Sequence, residues 1–173
     1  MNEKKATLRA RLRQSRLALP SNVVAKNSRL ISERLQGASG WAGIRKIHCY
    51  EPIKSLNEVD VTPFTAFLQS HYPEIQMYTS QKHKGTWQIV PTHAVNSSDG
   101  QNFEIIIVPM LGFDPQSLHR IGYGGGYYDR LLAGHPKARK IGVCFEQGKV
   151  KNLPTEAHDI PLDVIITEKA EYH

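Results

Sequence analysis

Cysteine is scarce. The 173 residues hold two, Cys49 and Cys144, each inside an apolar, strand-like run. That excludes a disulfide-stapled scaffold and points to buried, reduced thiols. No apolar run reaches the length that a membrane-spanning helix needs. The N-terminal stretch MNEKKATLRARLRQSR is charged throughout and lacks the apolar core of a signal peptide. Its basic, amphipathic character imitates a transit peptide, but Glu3 and the regular leucines point to a helix of the mature chain. We therefore expect a cytoplasmic protein without a membrane partner. Zinc-finger spacing, an RNA-binding aromatic motif and internal repeats are absent as well, so nucleic acid is a secondary reading.

What is present is an ordinary soluble composition, 40% hydrophobic and 22% charged, in a length that suits one domain with a substantial core, residues 1–173. The net charge is +6. A basic balance favours anionic partners in general: a nucleotide, a phosphorylated or polyglutamylated metabolite, or nucleic acid.

The most informative stretch is RIGYGGGYYDRLL, Arg120 to Leu132. It places four glycines, Gly122, Gly124, Gly125 and Gly126, within five residues. A glycine loop that opens a helix presents free N–H groups and the positive end of the helix dipole, a ready site for phosphate. It is not a Walker A loop, because no Gly-Lys-Ser/Thr follows. Nor does it fit the dinucleotide fingerprint: counted from Gly122 the last glycine position holds Tyr127, and counted from Gly124 it holds Asp129. A plain flexible turn is the alternative.

The apolar periodicity predicts a helix over about Lys4 to Leu19, with Leu8, Leu12 and Leu19 as its apolar stripe. Lys5, Arg9, Arg13 and Arg16 form a parallel basic stripe, which spacing alone reads as a solvated face. Pro20 ends this helix, and Ser21 or Asn22 is positioned to cap a second one running to about Gln36. Ile44–Tyr50, Ile75–Ser80, Thr86–Val90, Glu104–Phe113, Lys140–Phe145 and Asp163–Glu168 read as strands. A helix precedes His71 and another begins at Tyr127. Glu58 and Asp60 lie near a helix start, where carboxylates are favoured by the dipole; a ligand-binding role is the other reading of Glu58. The polar stretch Thr92–Asn102 reads as an exposed loop. Strands alternating with helices imply a three-layer α/β/α fold, Rossmann-like, with a largely parallel central sheet. Ligands in such folds bind beyond the carboxyl ends of the strands.

With these pieces in order, the chain resembles the 5-formyltetrahydrofolate cyclo-ligase (methenyltetrahydrofolate synthetase) family. The resemblance runs through KATLR (Lys5 to Arg9), YEP…NEVDVTPF (Tyr50 to Phe64), IIIVPMLGFD…RIGYGGGYYDRLL, and LPTEAHDIPLDVIITE (Leu153 to Glu168). It implies ATP- and Mg²⁺-dependent closure of 5-formyltetrahydrofolate to 5,10-methenyltetrahydrofolate, with a reduced folate and ATP as small-molecule partners and a monomeric state. It also implies the site. Lys5, Arg9, Arg120, Ile121 and the loop Gly122, Tyr123, Gly124, Gly125, Gly126, Tyr127 and Tyr128 would hold ATP, with Arg120 and Tyr127 as catalytic residues. Ile53, Glu58 and Tyr123 to Tyr127 would face the folate, and Asp129 and Asp159 would hold Mg²⁺.

Each role has a local alternative: Asp129 as a helix cap, Asp159 as a turn residue, Tyr127 and Tyr128 as core. Three departures from the family pattern stand out: a longer PQSLH segment (Pro115 to His119) ahead of Arg120, Val61 in place of a threonine, and Val90 in place of a frequent glutamate. The last two leave a non-catalytic folate- or nucleotide-binding relative as one rival. An RNA-binding protein using the basic stripe is another.

Overall fold

A computed structural model describes residues 4–38, 40–92 and 102–173; residues 93–101 of the expected polar loop lie outside the described residues. The frame is a seven-stranded sheet. Its strands are β1 (Lys46–His48), β2 (Gln76–His83), β3 (Thr86–Pro91), β4 (Ile105–Pro109), β7 (Arg139–Val143), β8 (Val164–Ile166) and β9 (Glu171–Tyr172), in the order β3-β2-β1-β4-β7-β8-β9. The pairs β1–β2, β1–β4, β4–β7 and β7–β8 are parallel, and the outer pairs β2–β3 and β8–β9 are antiparallel. Two short strands, β5 (Gly112–Phe113) and β6 (Arg120–Ile121), form a separate hairpin.

Ile105 to Val108 of β4 are all buried, and the run of β-branched residues is explained by helices on both faces. On one face α2 (Ser21–Gly37) and α3 (Thr62–His71) cover Ile47, Ile105, Ile107, Ile141, Val143, Val164 and Ile166. On the other, Leu131 and Leu132 of α4 (Tyr127–Gly134) pack with Tyr78, Phe103, Ile106, Val108 and Ile165. The three-layer α/β/α architecture expected from the sequence is the observed one.

Local differences have clear causes. The expected strand Glu104–Phe113 stops at Pro109. Gly112 and Phe113 leave the main sheet to pair with Ile121 and Arg120. The N-cap of α2 is Pro20, without a side-chain cap bond, so neither Ser21 nor Asn22 caps it. The C-terminal strand β9 is unforeseen; Glu146 draws it in by accepting hydrogen bonds from Tyr172 (2.7 Å) and Thr167 (2.8 Å).

The first helix, α1 (Lys5–Leu17), belongs to neither covering layer. It lies across the carboxyl edge of the parallel strands, with Leu8 and Leu12 packed on Leu111, Ile121 and Leu153. It also meets the 3₁₀ turns Lys54–Leu56 and Glu146–Gly148, which follow β1 and β7. Its close approach requires glycine beneath it. A Cβ on Gly112 would stand 2.7 Å from Leu12 Cδ1 and 2.6 Å from the Gly148 carbonyl oxygen. Gly112→Ala is therefore expected to lift α1 from the edge and to cost about 1–3 kcal/mol, measured by urea unfolding, with faster amide exchange in α1.

Candidate functional site

Where the carboxyl ends of β1, β2 and β4 meet α1 and the glycine loop there is a cavity of about 450 Å³. The strand order reverses between β1 and β4, so this is the switch point at which open α/β sheets take ligands. Lys5, Arg9, Ile53, Glu58, Arg120, Ile121, Gly122 to Gly126, Tyr127, Tyr128, Asp129 and Asp159 all line it. Every site residue expected from the sequence thus faces one space.

The basic stripe on α1 is not a solvated face. Lys5 and Arg9 are half-buried, Arg16 is buried, and only Arg13 of the four is exposed. Lys5 Nζ lies 2.6 Å from Asp159 Oδ2 and 3.6 Å from Glu156 Oε1. Arg9 Nε donates to the Gly122 carbonyl at 2.8 Å, and its guanidinium carbon would stand 3.0 Å from a Cβ on Gly124. Gly124 has φ +95° and Gly126 has φ +63°, a backbone region that glycine enters without penalty. Gly126 is the N-cap residue of α4, with no side-chain cap, so the first-turn N–H groups of that helix face the region lined by Gly124 to Asp129.

Asp129 does not cap the helix. Its Oδ1 pairs with Arg120 Nη2 at 2.6 Å, while Arg120 Nη1 donates to the Ile160 carbonyl at 2.6 Å. With the longer PQSLH segment ahead of it, Arg120 lines the cavity. Asp114 organises that segment as the turn of the β5–β6 hairpin: Gln116 N donates to Asp114 Oδ1 at 2.9 Å, Leu118 N to the Asp114 carbonyl at 2.9 Å, and Leu118 takes the left-handed φ of 54°. Burial raises the Asp114 carboxyl, but main-chain donors from Gln116, Leu153, Ser117 and Asn152 outweigh it and hold the group below the usual carboxylate range. The extra residue is absorbed in the turn, and Phe113 pairs with Arg120 in register.

Glu58 is buried, and its Oε2 accepts from the Ile53 main-chain N–H at 2.8 Å. Helix-end electrostatics does not explain it, because Asp60 fills that role, its Oδ1 accepting from Thr62 N at 2.9 Å. Ile53 and Tyr123 are exposed at the rim. The Tyr123 hydroxyl is pushed up to about 12, first by burial and then by the Glu58 charge, against the opposing pull of Arg16. Tyr127 and Tyr128 serve two purposes, packing on the core below and lining the cavity above.

Arg16, which does not itself line the cavity, supports it from behind. It continues the buried Leu8–Leu12 line one turn further, a spacing that could have revealed it. Its Nε donates to the Leu56 carbonyl (2.9 Å), its Nη1 to the Met110 carbonyl (3.3 Å) and its Nη2 to the Tyr123 hydroxyl. Its guanidinium carbon lies 5.4 Å from the Tyr123 ring centroid. Trp87, a residue type more often found in the core, is exposed, lines the cavity, and sits 5.2 Å from Tyr127 between ring centroids. Val61 and Val90 do not line the cavity, and Val61 is wholly buried in the core.

A family model described as the 5-formyltetrahydrofolate cyclo-ligase family matches residues 61–168. The chain belongs to that family. It is an enzyme of the ligase class in folate metabolism. A 5-formyltetrahydrofolate cyclo-ligase of Saccharomyces cerevisiae is 25% identical, over 98% of this chain and 97% of that one. One from Mycoplasma pneumoniae is 29% identical over 95% of this chain and 99% of its own. The solved 5,10-methenyltetrahydrofolate synthetase of M. pneumoniae superposes with a TM-score of 0.78 at 26% identity, over 96% of this chain and 99% of that one. The synthetase of Aquifex aeolicus also gives 0.78, at 28% identity, over 97% and 91%.

Burial raises the Asp159 carboxyl, but the Lys5 ammonium and the Glu156 N–H hold it below its ordinary value. A depressed carboxyl contributes stability that is present above its unfolded pKa of roughly 3.9 and lost as pH falls through the folded value. Lys5→Met is therefore expected to lower Tm at pH 7. The gap to wild type should close as melts are repeated toward pH 3.

Proposed function

We propose that this protein closes 5-formyltetrahydrofolate to 5,10-methenyltetrahydrofolate, with ATP converted to ADP and phosphate. The observation that carries the reading is the convergence, in one cavity, of the glycine loop that opens α4 and a carboxylate-and-aromatic face. Gly122 to Gly126 and the start of α4 supply main-chain donors for the phosphates. Lys5, Arg9 and Arg120 surround that loop with positive charge. Arg120 offers a planar fork that suits phosphate oxygens. Across the cavity, Glu58 is positioned to accept hydrogen bonds from the pterin's amino and ring N–H groups, with Ile53, Tyr123 and Trp87 as apolar contacts.

The chemistry asks for placement and charge neutralisation rather than for a protein nucleophile. The formyl oxygen attacks the γ-phosphorus, ADP leaves, and N10 then attacks the activated formyl carbon and displaces phosphate. Arg120 and Lys5 neutralise the charge that develops on the transferring group, and Tyr127 contributes its hydroxyl beside the loop.

Asp129 and Asp159 fit a magnesium ion. Both line the cavity, and each is bound to a cation through one oxygen, Oδ1 in Asp129 and Oδ2 in Asp159. No group of three or more His, Cys, Asp or Glu side chains is arranged to hold a metal among the described residues. A two-carboxylate site completed by nucleotide phosphates and water is the arrangement magnesium favours. Bound there, the ion would offset the charge of the phosphate oxygens.

Incubating the protein with 5-formyltetrahydrofolate, ATP and Mg²⁺ tests the activity, since the methenyl product absorbs in the near ultraviolet. Absence of product would overturn the reading. Gly125 gives a selective probe of the cradle: nothing lies within 4 Å of a Cβ placed there. Gly125→Val should keep the wild-type Tm and raise the KM for ATP more than about tenfold, as its side chain enters phosphate space. Asp129→Asn should shift the Mg²⁺ dependence of turnover to higher concentration, read from titrations at fixed ATP.

A further inference from the structure

One polar chain runs from the core to the Tyr127 hydroxyl at this cavity, and its inner members, His48 and Ser80, are used by none of the roles above. His48 closes β1 and is fully buried. Its Nε2 lies 2.7 Å from Ser80 Oγ, on β2. Ser80 Oγ in turn bonds the Tyr127 hydroxyl at the start of α4. Register places His48 opposite Tyr78, so Ser80, two residues on, shares its face of the sheet. Ser80 and Tyr127 line the cavity; His48 does not. The chain thus links a side chain shut away from ligand to one that touches it.

We propose that His48 is a positioning residue: its Nε2–H holds the Ser80 hydroxyl, which donates to the Tyr127 oxygen, leaving the Tyr127 proton aimed into the cavity at a ligand oxygen. The direction follows from the far side of the imidazole. His48 Nδ1 is buried with no hydrogen-bond partner among the described residues. A proton on Nδ1 would be a buried donor without an acceptor, and orphaned N–H groups are the rarer exception in proteins. The proton therefore sits on Nε2, and each hydroxyl along the chain accepts from behind and donates forward.

The surroundings keep this arrangement in place. His48 is flanked by the rings of Phe103 and Tyr128 at 5.6 and 6.1 Å. Burial first, then the neighbouring His135, pull its pKa down to about 4, so the ring stays neutral through the physiological range. A phenol held as a donor suits a ligand rich in phosphate and carbonyl oxygens. That use rests on the folate and ATP reading above.

The test joins a readout independent of turnover to one that depends on it. In protein labelled with ¹⁵N-histidine, long-range ¹H–¹⁵N spectra should show His48 as the neutral Nε2–H tautomer from pH 5 to 8, the signal assigned by its loss in His48→Gln. An Nδ1–H tautomer, or a ring that charges in that range, would overturn the proposal even if the enzyme reading stands. In kinetics, Ser80→Ala should lower kcat about tenfold with little change in the KM for ATP. In a Tyr127→Phe background the same change should have no further effect. Multiplicative losses in the double variant, or an unaltered kcat in Ser80→Ala, would also overturn it. His48→Gln, which places an amide donor near the Nε2 position, should keep most activity, whereas His48→Phe should fall as Ser80→Ala does. Should either His48 variant fail to fold, the tautomer and the Ser80–Tyr127 cycle decide. If wild-type protein makes no product, the enzyme reading fails, and the tautomer still decides the relay.

Discussion

A guanidinium taken out of water must find partners for its charge and its donors, or the fold does not tolerate it. Two such groups, Arg16 and Arg120, are only 4% and 9% exposed, and the site is arranged round them. Arg16 draws in carbonyls from the turn after β1 and from the end of β4, and the Tyr123 hydroxyl of the glycine loop. Arg120 draws in Asp129 at the start of α4 and the Ile160 carbonyl of the late loop. Satisfying two cations therefore ties together most of the segments that wall the cavity. The Arg120–Asp129 pair joins the two flanks of the glycine loop, and at its first residue Arg9 binds the Gly122 carbonyl.

The sheet determines where that convergence happens. Four parallel pairings put the carboxyl ends of β1, β2, β4, β7 and β8 along one edge, and α1 lies across it. An N-terminal helix in that position brings its cations to a loop far away in sequence, as in the bond from Arg9 to Gly122 at a separation of 113. The carboxylates alternate with the cations, Lys5 with Asp159 and Arg120 with Asp129. Charges are thereby neutralised in pairs along the cavity wall.

Much of this is legible along the chain. The β-branched run of β4 announces a strand covered on both faces, and the glycine loop ahead of Tyr127 announces the helix start. The order of KATLR, NEV, the glycine core and the late His-Asp carries the family. Less legible are residues whose role depends on direction. The α1 stripe reads as a solvated face because cations are normally exposed, and helical spacing does not say which face meets the sheet edge. Trp87, on the β2–β3 hairpin, is turned toward Tyr127, a direction that its place in the sequence does not give. The departures at Val61, Val90 and Pro115 to His119 look like threats to the site. Packing shows two of them lying off the cavity and the third folded into a hairpin turn.

By itself, then, the sequence determined the main strands and helices, the largely parallel α/β class and the glycine-rich opening of α4. These rest on local periodicity and on the backbone freedom of glycine, properties carried by neighbouring residues. Only the tertiary structure decided which cations turn inward, which carboxylate each one meets, and that His48 reaches Tyr127 through Ser80. Lys5 and Asp159 are 154 residues apart. Nothing local couples them; the pairing exists because the strands between them stack in one order and α1 crosses their ends.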